Sequence, residues 1–349
     1  MTRNIVSVLA LGTVLFAGCS GQKVTSVADS QQAHRLSEHE FKEKLLSETA
    51  VRATPLKQSR SVGRGHGAEL VVPAAVAYSQ TGSLYVSDNN THSIQVWTPD
   101  SPAISDLTLT SQSNPLKFPT SVEVWNENIF VSDDDGIKIL SLEGQLENHL
   151  RTYYGIFHFA ISEKGTIFAS VMMRTPDAQD PLIVEFDQSG KVVRKMGSRS
   201  AKAGLGDLEN QGFVALSNDL LIFAYKYRPM VEVYSVDSGE MVRTFDIKHP
   251  VFPSLGRESS LQEPNLVPRY VAGIKTLKER IFLCLHLPVP EVWELNEEGK
   301  VLAEFRANGL PTAVHVFGFD ARLNGGAPTF AIGVLDPTWA ASVFELSGS

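Results

Sequence analysis

From residue 66 onward, apolar and polar residues alternate over short stretches, and turn residues separate the stretches. Ile137-Lys-Ile-Leu-Ser-Leu, Ile183-Val-Glu-Phe and Val231-Glu-Val-Tyr-Ser-Val show the pattern. A period of two places successive side chains on opposite faces of a strand. Runs at helical spacing are almost absent here. The pattern therefore predicts an all-β region rich in short strands.

The strands recur in units. Five segments share an alternating strand followed by a turn that ends in Gly: 137–144, 183–190, 231–239, 292–299 and 343–348. Their closing glycines recur every 46 to 60 residues. Asp or Asn just before several of these glycines tolerates the positive φ of a tight hairpin. A sixth copy, Ile94-Gln-Val-Trp, turns through Asp100-Ser-Pro.

Two more strand-like runs precede each copy. They are Ala75-Val-Ala-Tyr with Leu84-Tyr-Val-Ser, and Ser121-Val-Glu-Val with Ile129-Phe-Val-Ser. Phe159-Ala-Ile with Ile167-Phe-Ala, and Val214-Ala-Leu with Leu221-Ile-Phe, continue the series. Ala272-Gly-Ile with Ile281-Phe-Leu, and Phe317-Gly-Phe with Phe330-Ala-Ile, complete it. Six units of about 48 residues with four strands each predict a six-bladed β-propeller over 66–349.

The last unit stops directly after its Gly turn, so its fourth strand must come from elsewhere. A ring of blades that does not close leaves an unpaired edge. Glu69-Leu-Val-Val, or the stretch Val51–Leu56, is expected to supply the missing strand. The propeller is then one domain.

The N-terminal segment is different in kind. Arg3 precedes an apolar run, Ile5–Ala17, of 13 residues. That is too short to span about 30 Å of hydrocarbon as a helix. Ala17-Gly18-Cys19 follows, and the whole resembles the bacterial lipoprotein signal, except that Phe16 stands where Leu is usual. The resemblance implies a signal peptide over 1–18 and a lipid on Cys19. Ser20 after the Cys then implies an outer-membrane lipoprotein in a diderm host, facing the periplasm or the surface. An ordinary cleaved secretory signal is the alternative. Residues 19–65 read as a tether. Within it, Ser37-x-x-Glu40 matches a capping box, and Leu36, Phe41 and Leu45 supply a helical stripe. A short helix is expected over about 37–48.

Composition removes several function classes. The chain has 31 Lys+Arg against 39 Asp+Glu, a net charge of −8, which argues against a nucleic-acid binder. A mean hydropathy of −0.05 excludes a multispan membrane protein. The 2 cysteines exclude a Cys-rich zinc site. With Cys19 assigned to the lipid and Cys284 to the apolar strand Ile281-Phe-Leu-Cys-Leu, no disulfide is expected.

A second resemblance is more specific. The stretch from Pro73 to Trp97 resembles an NHL repeat, with its Pro, Gly turn, Tyr85-Val-Ser-Asp and Ser93-Ile-Gln-Val strand. A shorter version survives as Pro119, Phe130-Val-Ser-Asp133 and Ile137-Lys-Ile. Phe223-Ala-Tyr-Lys-Tyr-Arg-Pro-Met-Val-Glu-Val-Tyr is similar to the TolB-like six-bladed propellers. The resemblance implies the fold and transfers no chemistry, because function lies in sites grafted on it.

Candidate chemistry falls into three groups. His158 and His315 open innermost strands of opposite blades, where two imidazoles could hold a metal such as zinc. The strand alignment places them one column apart and so on different faces, and no third ligand stands out. Asp133-Asp134-Asp135-Gly136 could attract Ca²⁺. A turn hydrogen bond is the expected role of Asp133 and of Asp88. Arg174, Tyr225, Lys226, Tyr227, Arg228, His286 and Trp339 fall in loops after second strands and form a candidate basic and aromatic binding face. No phosphate-binding loop, zincin helix or nucleophile elbow is present.

These observations predict no cofactor and no catalytic set. They predict a membrane-anchored propeller that binds a protein, peptide or glycan partner in the cell envelope. A propeller enzyme (a metal-dependent lyase, lactonase or hydrolase) is the first alternative. A structural component of an envelope assembly is the second.

Overall fold

The computed structural model describes residues 53–63, 70–99, 104–107, 116–172, 181–199, 206–252, 268–307, 310, 315–336 and 341–348. The signal, Cys19 and the helix expected over 37–48 lie outside these residues, as do Arg174 and Trp339.

A strand β1 (Thr54–Gly63) comes first. Four antiparallel four-stranded sheets follow in chain order. The first holds β2 (Pro73–Tyr78), β3 (Leu84–Asp88), β4 (Ser93–Trp97) and β5 (Ile104–Asp106). The second holds β6 (Ser121–Trp125), β7 (Asn128–Asp133), β8 (Gly136–Ser141) and β9 (Leu146–Arg151). The third holds β10 (Gly155–Ile161), β11 (Ile167–Met172), β12 (Pro181–Phe186) and β13 (Val192–Ser198). The fourth holds β14 (Gly212–Ser217), β15 (Leu220–Tyr225), β16 (Met230–Ser235) and β17 (Met241–Asp246).

The remaining strands are β18 (Val271–Leu277), β19 (Arg280–Leu285), β20 (Glu291–Leu295), β21 (Val301–Arg306), β22 (His315–Asn324), β23 (Ala327–Leu335) and β24 (Ala341–Gly348). Together with β1 they form one eight-stranded sheet, in the order β18-β19-β20-β21-β1-β24-β23-β22. The protein is an all-β propeller. Its first strands touch in a closed cycle, β2 to β6, β10, β14, β18, β22 and back to β2.

Closure comes from β1. It runs antiparallel to β24 from Leu56↔Gly348 to Gly63↔Ser342 and touches β21 in parallel at Thr54↔Phe305. The closing strand is thus neither 69–72 nor 51–56 alone. Val71 and Val72 instead donate their backbone N–H groups to the Asp88 carboxylate before β2 begins. Residues 54–63, read from the sequence as tether, are part of the sheet.

Burial follows from the stacking. Each second strand is covered on both faces and reads as a continuous apolar run, as in Leu220-Leu-Ile-Phe-Ala-Tyr, buried throughout. Fourth strands such as β17 lie at the rim and expose alternate residues. Apolar clusters join each sheet to the next. Ile94 and Val131 join the first to the second, Phe130 and Phe159 the second to the third, and Phe168 and Phe223 the third to the fourth. Ile222 and Leu283 join the fourth to β18–β21, and Phe282 and Phe330 join those strands to β22–β24. Phe317 and Val86 return to the first sheet. Each fully buried side chain of this kind contributes about 1.5–3 kcal/mol. Cys284 is a free thiol in this interior, and burial pushes its pKa up, so it behaves as a small apolar residue.

Asp88 and Asp133 hold the turns expected of them. Asp88 accepts from Val71, Val72, Asn90 and Thr91. Asp133 accepts from the Lys117 and Phe118 N–H groups and from buried Lys138 at 2.5 Å. Burial raises the Asp133 pKa, and Lys138 and the backbone donors outweigh it, leaving it below the usual value. Gly136 turns the following hairpin at φ +142°, where a Cβ would meet the Leu150 carbonyl oxygen at 2.2 Å.

Candidate functional site: the axial pocket

The ring of first strands surrounds a cavity of about 310 Å³. Every first strand or its approach contributes to the wall: Val76, Val122, His158, Phe213, Gly273 and Phe319. Small residues at Ala75, Gly273 and Gly318 keep it open. A Cβ at Gly273 would meet the Phe319 side chain at 2.8 Å.

The floor is an ion-pair strap. Strand pairing places Glu123, Lys275 and Asp320 at one level of β6, β18 and β22, opposite Phe130, Phe282 and Ala331. Ala77, Ala160 and Ala215 hold that level in β2, β10 and β14. The alanines leave room for the long side chains to meet. Lys275 Nζ lies 2.8 Å from Glu123 Oε2 and 3.0 Å from Asp320 Oδ1. Asp320 also accepts from the Tyr78 N–H at 2.6 Å. Burial draws the Lys275 pKa down, and Asp320 and Glu123 outweigh it, so the ammonium is firmly protonated.

The mouth is built from residues that border the strands. Lys226 and His286 directly follow β15 and β19, His315 opens β22, and Arg269 lies two positions before β18. Arg269 donates to His315 Nδ1 at 2.6 Å, and His286 Nε2 lies 3.0 Å from the same atom. The Val316 N–H donates to His286 Nε2 at 3.3 Å. The Arg269 guanidinium can only donate, so His315 Nδ1 accepts from it and that imidazole is neutral. The Lys226 ammonium stands 4.9 Å over the Phe157 ring and 5.4 Å over Tyr227.

The electrostatics agree. Burial, then Arg269, lowers Lys226 to about 7. Burial with Arg269 and Lys226 lowers His286 to about 3, and the same groups with His286 lower His315 to about 2. His158, deeper in the pocket, is lowered to about 3 by burial and Lys275.

These shifts predict acid sensitivity. A histidine whose folded pKa lies below its unfolded value of about 6.5 takes up protons on unfolding. Its contribution is complete above that value and is lost as pH falls toward 3. Each of the three imidazoles is expected to remove about 1.4 kcal/mol between pH 7 and 5.5. Urea unfolding of the wild type and of His315→Asn across that range measures it. The variant is expected to show the shallower slope.

The structure sorts the sequence candidates. His158 and His315 line the same pocket, so the one-column offset does not part them. The bulges after Ile156 and Val316 reset the register so that both face the axis. His286 joins His315. Tyr225 does not belong to a loop face: it ends β15 at 1% exposure, donates to Glu232 at 3.0 Å and carries Arg228 over its ring at 4.3 Å. Tyr227 borders Lys226.

Among the described residues, the one group of three potential metal ligands is Asp133, Asp134 and Asp135. Asp133 there is occupied by Lys138 and the turn. The histidines of the mouth do not form such a group. Sequence reading did not single out Glu123, Lys275, Asp320 or Arg269. The first three stand as charged residues in one column of otherwise apolar or small residues, which is a readable signal.

The NHL repeat family matches residues 70–97. No curated protein matches the chain. Among solved structures, regucalcin from Agrobacterium tumefaciens, described as a calcium-binding protein, is 10% identical and aligns over 85% of this chain and 97% of its own, with a TM-score of 0.55. A luciferin-regenerating enzyme is 11% identical over 83% of this chain and 95% of its own, also at 0.55. Virginiamycin B lyase from Staphylococcus aureus is 13% identical over 84% and 99%, at 0.51. At these identities the likeness concerns the fold. The chain is a β-propeller with an NHL-repeat match over 70–97.

Proposed function

We propose that the protein is a lipid-anchored binding propeller of the cell envelope, with its partner received at the mouth of the axial pocket. The eight-stranded sheet counts as two blades joined through β1, which makes six. Cys19 carries the lipid, residues 1–18 are the signal, and the partner is a protein, peptide or glycan. The observation that carries the reading is the mouth itself. Lys226 and His315 line the pocket, His315 is joined there by His286 and Arg269, and Phe118, another lining residue, is 53% exposed. A polar cluster bordered by exposed apolar surface is the usual anatomy of a recognition site.

Two experiments test this. Cys19→Ala is expected to shift the protein from the membrane fraction to the soluble fraction, and unchanged fractionation refutes the anchor. A photo-crosslinking residue at position 118 is expected to give one major adduct in cells, and the same residue at rim position 241 none. Equal adducts from both positions contradict the mouth as the binding surface.

A further inference from the structure

We propose that the mouth is a carboxylate site, in which Lys226 and Arg269 receive the anionic group of a ligand whose remaining body is apolar. The proposal rests on the reading of the mouth as the binding surface and names the chemistry recognised there.

The charge pattern is the first argument. Buried Lys138 and Arg306 and partly buried Lys275 each lie against a carboxylate: Asp133, Glu291, and Glu123 with Asp320. Such pairing offsets the cost of removing a cation from water. Among the described residues, neither Lys226 nor Arg269 has a carboxylate partner. Glu232, on the strand after Lys226, is engaged by Tyr225 and Tyr234. The groups that face Lys226 are Arg269 from the approach to β18, His286 after β19 and His315 of β22. The β10 strand and the neighbouring loop add the rings of Phe157 and Tyr227. Among the described residues, no negative charge balances this set. The same crowding of positive charge, with burial, holds the pKa of Lys226 down to about 7 and those of His286 and His315 well below the usual imidazole value.

Shape and polarity narrow the ligand. A guanidinium fork beside an ammonium fits a carboxylate. The approach is apolar on the side of the first two sheets, where Phe118 is 53%, Val71 47% and Val72 49% exposed. A cavity of about 310 Å³ takes a small organic acid or the end of a longer one. A peptide C-terminus and an acyl chain share this chemistry, and an acidic sugar lacks the apolar body.

Calorimetric titration of the detergent-solubilised full chain tests the proposal. The probes are hexanoate, N-acetyl-leucine, glucuronate, inorganic phosphate and hexylammonium. Hexanoate or N-acetyl-leucine is expected to bind more tightly than the other three, and the tighter of the two identifies the source. Binding at pH 7, measured in two buffers of different ionisation heat, is expected to be accompanied by net proton uptake as the anion draws a proton onto Lys226. Arg269→Gln and Lys226→Gln are each expected to weaken binding at least about tenfold, with Arg269→Lys losing less. Lys300→Gln, on a distant turn, leaves it unchanged. Each variant is compared with the wild type by melting, so that loss of binding is read only in folded protein. Tighter binding of phosphate, glucuronate or hexylammonium overturns the assignment, as does carboxylate binding that ignores Arg269→Gln. A crosslinked partner at position 118 with no carboxylate binding overturns this inference and leaves the mouth as the binding surface.

Discussion

Removal of residues 54–63 is expected to unfold the propeller. In a cyclic fold each sheet is supported by both neighbours. The β1 strand completes the sheet that joins the end of the chain to the beginning. Its loss exposes the edge of β24 from Ser342 to Gly348. It also uncovers the cluster of Phe305, Phe344 and Leu346 that Leu56, at 4% exposure, helps to seal. The contact with β21 at Thr54 and Pro55 goes with it, beside the buried Arg306–Glu291 pair. The expected result is a melting midpoint lower by about 10 °C or more, or no cooperative transition at all. Deletion of 20–30, read from the sequence as linker, is expected to leave melting unchanged. A 54–63 deletion that melts like the wild type would show that the ring closes without β1.

Lys275→Met is expected to cost about 3–5 kcal/mol. The substitution leaves Glu123 and Asp320 at the pocket floor with no cation between them. Two facing carboxylates cannot both remain ionised at low cost, so the deficit of the variant relative to the wild type should shrink at lower pH. The triple change Lys275→Met, Glu123→Gln and Asp320→Asn removes the stranded charges and is expected to restore most of the loss. Denaturant unfolding of the single and triple variants at pH 5 and pH 7.5 measures both effects. Equal stability of the single variant and the wild type would mean that the strap contributes nothing to the floor.

Much of this architecture was legible in the chain. Alternation and the recurring Gly turns placed the strands, because a half-buried strand must alternate and a hairpin must find a residue that accepts positive φ. The missing fourth strand of the last unit announced the need for closure. Which segment supplies it was not legible. Thr54-Pro-Leu-Lys-Gln exposes Pro55, Lys57 and Gln58 and buries Leu56, so it carries little apolar alternation.

The site was legible in pieces. His286 and Lys226 were placed correctly after their second strands, and His158 and His315 correctly on inner strands. Bulges decided where the histidines point, and bulges leave no sequence mark in β10 or β22. Tyr225 misled because the end of a second strand is still interior, where its hydroxyl finds Glu232. Arg269 was invisible because its position matters only through its contact with His315.

A crystal structure of the protein grown with hexanoate tests the central claim most directly, that the axial mouth is the ligand site. The account predicts the carboxylate within hydrogen-bond distance of Lys226 and Arg269, with the alkyl chain against Phe118. A mouth without the acid, at a concentration where calorimetry shows the protein saturated, would contradict it.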